Sequence, residues 1–423
     1  MKKSWGTFTN KFKLTKILPA LVLAATVLVT GCGTPVPDEV TISLDGKEFK
    51  EPAAEIYEGQ LMVPASFIQQ ALGKRVEWDK EADKKGEEEK EKAATAVYYS
   101  DKVGVLMYHD IMEKPDRDDI LSTQQFKQQM ELLRKEGFVP ISMDDYLDFI
   151  GKGKPVPDNA VLITFDDGYE SFYKLAYPIL KEYEYPAANF IIVSSIDKPA
   201  ASGRPKLTWD QMREMAQHDI GFYNHTYDMH RYGDTDGKGR KKPVTTRNLY
   251  LPDEKRVETE DEYKQRVKDD LIRAEARLKE ELGNTRSAVA LPYGAYNDKL
   301  LAVLDSIGVE ASFMVKEGRN GIGDRNGFRI NGGRSDQSPE AVIAKLKGQD
   351  PTKRKLVTGE GAKLKIDGEA VQFSKMLTGV ATEDILVPLR EICKKYEIKV
   401  DWNHKKKRAV MTTSQAADAG GKE

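Results

Sequence analysis

Between residues 102 and 348, short apolar runs alternate with amphipathic stretches. That alternation limits this part of the chain to strands joined by helical crossovers. "KVGVLMYHDI" and "AVLITFDDG" read as strands. Ser122-Thr123 precedes "QQFKQQMELLRKEGF", where Phe126, Met130 and Leu133 share one helical face and Gly137 stops the helix. "TWDQMREMAQHD" reads as another helix. Thr259 with Glu262 predicts a capping box for the long helix "EDEYKQRVKDDLIRAEARLKEELG", closed by Gly283. The fold class is therefore α/β, as an α/β barrel or a doubly wound sheet. Residues 231–258 show little periodicity and read as a surface insertion.

The strand "VLITF" runs straight into Asp166-Asp167-Gly168. Packing does not account for two adjacent carboxylates there, because desolvating unpaired charge is costly. In α/β barrels the C-terminal ends of strands are where active sites form. Neighbouring side chains on a strand diverge, so one Asp can take a metal while the other addresses a water. A solvated Asp-Asp-Gly turn would also fit the pair taken alone. "NHTYDMH" adds His225 and His230, with Asp228 between them. Their spacing of five fits a helix poorly, so the segment reads as a loop whose third metal ligand comes from elsewhere. One carboxylate and two imidazoles leave a coordination position open for water, as a catalytic divalent site requires. No Gly-x-Ser-x-Gly elbow and no phosphate-cradling glycine loop occurs, so serine-esterase and nucleotide readings have no footing.

"TFDDGY", "NHTYDMH" and "ALPYGAYN", in that order, resemble the first three motifs of the polysaccharide deacetylase family (NodB-like, carbohydrate esterase family 4). The opening strand "VLMYHDI" and the five-residue histidine spacing resemble the branch that includes poly-N-acetylglucosamine deacetylases. The resemblance implies a distorted (β/α) barrel and hydrolytic N-deacetylation of a poly-N-acetylglucosamine, peptidoglycan or chitin-like glycan. It also implies one divalent ion, zinc first, with cobalt, nickel or ferrous iron as alternatives. Asp167, His225 and His230 would hold the ion, and Asp166 would act as general base. The backbone N–H of Tyr293 in the Pro292-Tyr293 turn would help stabilise the oxyanion, and His109 would protonate the leaving amine. Tyr169, Asn224, Asp228 and Pro292 would serve as substrate contacts or supports, with Asp228 placed to tie a ligating imidazole. Two departures stand out. Ala290 occupies the position where much of the family has an Arg that steadies the base, and no histidine lies between His230 and His404 to supply the family's late acid. The branch resemblance offers Arg329 and His109 as replacements. His218 and His404 read as surface residues.

The ends of the chain carry a different pattern. Lys2, Lys3, Lys11, Lys13 and Lys16 precede an apolar run, Ile17–Thr30, too short to span a bilayer comfortably. With "LVTGC" it resembles a bacterial lipoprotein signal, which implies lipidation at Cys32, export, and anchoring on the outer face of the membrane of a Gram-positive bacterium. Without those five lysines the net charge of −2 becomes about −7, which gives no electrostatic reason to bind nucleic acid. Cys393 is the other cysteine, and it reads as a core residue.

An internal repeat joins "VTISLDGKEF…LMVPASFIQQALGKRVEWD" to "AKLKIDGEAVQF…ILVPLREICKKYEIKVDWN". Each copy reads as strand, Asp-Gly turn, a helix with Pro just inside its start, and a strand through the Trp. A last strand follows each, "TAVYYS" and "RAVMTT". Both copies resemble the stalk-type domain named after the copper amine oxidase N-terminus, which implies a structural or wall-polymer-binding role and, lacking His or Cys clusters, no copper. The expected organisation is a signal peptide (1–31), a linker (32–39), a first repeat (40–100), the deacetylase-like domain (102–348), a linker (349–362), a second repeat (363–413) and a tail (414–423). Two other functions fit these motifs: a carbohydrate-binding lipoprotein that has lost turnover, and an amide hydrolase for a small substrate.

Overall fold

The computed structural model describes residues 40–50, 54–77, 96–379, 385–403 and 407–414. The signal-type segment, Cys32, Trp78 and His404 lie outside the described residues. Among the described residues no helix is long and apolar enough to cross a membrane.

Six parallel strands of the middle domain lie side by side in chain order: β1 (Val103–Tyr108), β2 (Ala160–Asp166), β3 (Ala187–Ile191), β4 (Ile220–Asn224), β5 (Ala288–Ala290) and β6 (Ala311–Phe313). Every residue of β1, β2 and β3 is buried, so burial on both faces explains why these segments are apolar runs rather than alternating ones. Alternate residues of β2 divide between two cores. Val161, Ile163 and Phe165 pack with Phe126, Met130 and Leu133, while Ala160 and Leu162 join Tyr146, Phe149, Phe190 and Phe313.

Two short strands nearly close the sheet. β7 (Asn326–Gly327) runs parallel to β6, and β8 (Ile330–Asn331) runs parallel to β1 at the opposite edge. The segment 326–331 thus bridges both edges of an α/β barrel-like sheet, with Arg329 between its two pairings. Edge amides that would otherwise lie open are paired this way.

The capping signals are realised. Ser122 and Gln125 form a capping box on the helix Thr123–Lys135, and Thr259 and Glu262 form one on Glu260–Leu282, which ends at left-handed Gly283. The insertion 231–258 is more regular than its sequence suggests. It holds two small ribbons, Tyr232–Asp234 with Lys241–Pro243 and Tyr250–Leu251 with Arg256–Val257. Glu258 tethers it through a doubly bonded pair with Arg266 of the long helix, at 2.7 and 2.9 Å.

The two repeats do not fold as separate modules. Thr41–Leu44 runs parallel to Arg408–Met411, and Met62–Pro64 pairs antiparallel with Leu386–Pro388. Val76–Glu77 joins Lys365–Ile366. One core takes Ile42, Val63 and Phe67 from the first copy and Ile366, Val387, Ile392, Cys393 and Met411 from the second. The 349–362 segment, expected as a linker, supplies a strand to this domain, Arg354–Thr358. Pro64 and Pro388 sit at the helix N-caps, one position earlier than expected. "TAVYYS" forms no strand over its described part, 96–100. Tyr99 packs into the barrel core instead, and the Asn159 side chain accepts the Tyr98 N–H at 2.7 Å.

Candidate active site

His109 follows β1, Asp166 ends β2, His225 follows β4, and the Leu291–Gly294 turn follows β5, so all open at the C-terminal mouth of the barrel. The Asp-Asp pair diverges because Asp166 is still in strand geometry while Asp167 turns into the left-handed region at φ 74°. Gly168 continues that turn at φ 65°. A left-handed non-glycine residue is strained and is held only by its surroundings. Here Lys206 donates to the Asp167 carbonyl at 2.9 Å. The same ammonium lies 3.5 Å from the centre of the Tyr169 ring.

Asp166 is buried and clamped. Arg329, itself fully buried, donates from its two terminal nitrogens to the two Asp166 oxygens, each at 2.8 Å, while its Nε donates to the Met314 carbonyl at 3.0 Å. His109 Nε2 lies 3.8 Å from Asp166 Oδ2, on a half-exposed side chain. Burial alone would raise the Asp166 pKa. Arg329, His225 and His109 outweigh it and hold the carboxyl below its ordinary range.

Asp167, His225 and His230 offer ligand atoms that all lie within 4.8 Å of one another. Asp167 Oδ1 lies 3.4 Å from His225 Nε2 and 3.5 Å from His230 Nε2. Donors around an ion with bonds of about 2.0–2.1 Å sit roughly 3–3.5 Å apart, so the spacing fits. Asp167 Oδ1 is buried with no hydrogen-bond partner among the described residues, a costly state that a cation would relieve. His225 Nδ1 lies 2.8 Å from the Ala290 carbonyl, which fixes the Nδ1–H tautomer and turns Nε2 toward Asp167. Burial and the neighbouring His225 lower the His230 pKa to about 4, which keeps its ring neutral and able to ligate. Burial opposes a charge on His225, but the close approach of the Asp167 carboxylate and the charge of Asp166 raise its pKa overall.

The histidine loop is held from outside the mouth. Asn224 is fully buried; its amide donates to Glu275 Oε1 at 2.9 Å and its oxygen accepts the Thr226 N–H at 2.7 Å. It therefore shapes the loop. Asp228, expected to tie an imidazole, points away: its Oδ1 accepts from Ser194 Oγ at 3.2 Å, and the Ala290 carbonyl serves His225 instead. Pro292 is buried in the turn that presents Tyr293, whose backbone is left-handed at φ 59° and whose ring lies 4.6 Å from that of His230.

Sequence reasoning missed two groups. Asp270, on the long helix, accepts the N–H groups of Tyr227 and Asp228 at 2.8 and 2.9 Å. Its signal was a carboxylate on the stripe of Tyr263, Val267, Leu271 and Ala274. Asp110 accepts from Ser171 Oγ at 2.5 Å and pairs with Arg204 beside His109. It was legible only as the residue after that histidine.

A barrel whose mouth holds a clamped carboxylate facing a histidine beside a His-His-Asp cluster has the layout of an α/β-barrel hydrolase. The comparisons narrow the class: residues 153–312 match the polysaccharide deacetylase family, and the middle of this chain is a polysaccharide deacetylase domain. That match includes Asp166, Asp167, His225, His230 and Tyr293, while His109 and Arg329 fall outside it. Residues 36–84 match the copper amine oxidase N-terminal domain.

The chain is 27% identical over 252 residues to the poly-beta-1,6-N-acetyl-D-glucosamine N-deacetylase of Escherichia coli K12, across 56% of this chain but only 36% of that relative. It is 26% identical over 234 residues to the enzyme of the same name from Staphylococcus aureus MRSA252, across 54% of this chain and 74% of that one. Among solved structures, a de-N-acetylase from Aggregatibacter actinomycetemcomitans aligns with a TM-score of 0.53 at 27% identity. That alignment covers 58% of this chain and all of that one.

Proposed function

We propose that this protein hydrolyses the acetamide of N-acetylated glycans, with poly-β-1,6-N-acetylglucosamine as the leading substrate. The observation that carries the reading is the buried Asp166, clamped by Arg329 and facing His109, beside the Asp167, His225 and His230 cluster. Those three residues would hold a divalent ion, zinc first, and the ion when bound supplies Lewis acidity toward water and the amide carbonyl. Asp166 takes the proton from the attacking water, because Arg329 keeps it ionised despite its burial. The Tyr293 N–H donates to the oxygen that becomes negative as the carbonyl carbon turns tetrahedral. His109 hands a proton to the leaving amine as the C–N bond breaks, so acetate is released and a glucosamine residue with a free amine stays in the glycan.

The names of the relatives support poly-β-1,6-N-acetylglucosamine over other glycans. The lipoprotein-like segment ending at Cys32 supports export and a lipid anchor at the outer face of a Gram-positive membrane, with the terminal domain as spacer or wall-polymer contact. The binding-only alternative drew on Ala290 and the absent late histidine, and the positions of Arg329 and His109 weaken both grounds. The test is acetate release from β-1,6- and β-1,4-linked N-acetylglucosamine oligomers and from peptidoglycan fragments, using metal-reconstituted protein with and without chelator. Chelator-sensitive release, greatest on the β-1,6 oligomer, is expected. Absence of release from every glycan would overturn the enzyme reading.

A further inference from the structure

Large apolar side chains are exposed in scattered places on this protein, but its exposed tyrosines are not scattered. Among the described residues only Tyr232, Tyr293 and Tyr296 are exposed, at 50%, 42% and 47%. Tyr293 and Tyr296 share the loop after β5, and Tyr232 opens the first ribbon of the insertion. The Tyr293 ring centre lies 4.6 Å from that of His230 and 4.6 Å from that of Tyr232. An unbroken line of rings therefore leads outward from a candidate metal ligand. Val315, 46% exposed, extends the surface over left-handed Gly294, where an added Cβ would come within 2.4 Å of a Val315 methyl. Tyr232 is fixed by its ribbon, which pairs Tyr232 with Pro243, and by the Val244 N–H donated to the Arg231 carbonyl at 3.2 Å.

A contiguous exposed apolar surface on a soluble domain marks a binding site. This one is aromatic and continuous with the catalytic mouth. Aromatic faces with a phenol at the edge suit a pyranose ring, which offers C–H groups from one face and hydroxyls from its rim. We propose that Tyr232, with Tyr293 and Val315, forms a subsite for a neighbouring sugar of the polymer, beyond the residue whose acetamide reacts. This proposal rests on the deacetylase reading of the mouth. It assigns the insertion a role in selecting polymer over short glycans, with Tyr232 as its specificity-determining residue.

The experiment compares Tyr232→Ala and Tyr232→Phe with the unaltered full chain, reconstituted with zinc, on the dimer and hexamer of β-1,6-N-acetylglucosamine. Calorimetric hexamer binding to the metal-free proteins and sedimentation of each protein accompany the kinetics. In Tyr232→Ala the kcat/KM advantage of hexamer over dimer should fall about tenfold, with a matching loss of hexamer affinity, while Tyr232→Phe keeps most of both. An unchanged advantage and unchanged affinity in Tyr232→Ala overturn the subsite. So does a dimer that Tyr232→Ala converts to monomer, since the rings would then be a self-association face. If no glycan is turned over but hexamer binding still depends on Tyr232, the deacetylase reading fails and the sugar site stands.

Discussion

The barrel and the terminal domain are assembled by opposite rules. In the barrel, six strands lie beside one another in the order the chain makes them, each one crossover from the last. In the terminal domain, strands from the two ends of the chain meet in shared sheets: Thr41 pairs with Arg408 and Val63 with Val387, across the whole barrel in between. The barrel can complete its sheet from residues 103–331 alone, whereas neither repeat completes a sheet without the other. Sequence repetition therefore signals a duplicated local pattern and says nothing by itself about independent folding. Pairings this distant in sequence also carry the largest loop-closure cost and depend on the barrel between them being formed.

The comparison breaks most visibly under truncation. Deleting 363–413 removes Leu364, Ile366, Met376, Val387, Leu389, Ile392, Ala409 and Met411 from the terminal core and strips the partners of Thr41–Leu44 and Gln60–Pro64. The first repeat should then unfold entirely while the barrel persists. Scanning calorimetry should show two transitions in the full chain and one after deletion, with zinc binding retained. A surviving terminal transition would mean that the first repeat is a module after all.

Inside the barrel the largest effect belongs to Asp166. Asp166→Asn should lower turnover about 10²–10⁴-fold, the usual worth of a positioned acid–base group, while the three ligand residues keep their metal. Metal analysis alongside acetate-release kinetics checks both parts. Loss of metal would move Asp166 from base to ligand.

Arg329 tests the same clamp from the other side. Arg329→Ala leaves the Asp166 carboxylate buried and unpaired, which should destabilise the barrel by about 3–5 kcal/mol. The pH profile should also move. With Arg329 present the Asp166 pKa lies below its ordinary range; without it, burial dominates and raises the pKa. A base must be deprotonated, so the acid limb of kcat should shift to higher pH in Arg329→Ala. Stability follows the same sign: the native clamp stabilises above the ordinary Asp range and is lost as pH falls through the depressed value. An unmoved acid limb would mean that another group controls it.

How far the site could be read from sequence follows the same division between near and far. Asp166, Asp167, His225 and His230 were legible because each ends an apolar strand or sits in a loop too irregular for a helix. The Arg329–Asp166 pair spans 163 positions and was suggested only by likeness to a branch of deacetylases. Asp228 misled because nearness in sequence was taken for nearness in space; the acceptor His225 uses is the backbone carbonyl of Ala290, and reasoning from side-chain type does not see carbonyls. The interleaved ends were hidden for the same reason, since both repeats carry the same local pattern whichever partner each strand chooses.

The smallest expected effect sharpens the comparison most, because it asks whether the long helix holds the site as the β7–β8 segment does. Asp270 is not one of the three candidate metal ligands, yet it accepts two consecutive amides between His225 and His230. Arg273 stacks on the Tyr227 ring of the same loop at 3.7 Å. Burial raises the Asp270 pKa against those amide bonds, so the carboxylate is kept there at a cost and in return fixes the loop's shape. Asp270→Asn keeps the volume but sets an NH2 against one backbone N–H, losing one hydrogen bond to a charged group worth about 1.5–3 kcal/mol. Part of that loss is paid by relaxation of the loop, so zinc affinity should fall about tenfold rather than collapse. Amide exchange at Tyr227 and Asp228 should quicken in the metal-free protein, while the barrel's β1–β3 amides stay protected. Quickened exchange across the whole barrel would mean that Asp270 serves stability in general. Unchanged zinc affinity with a loosened loop would mean that His230 finds its place without the helix's help.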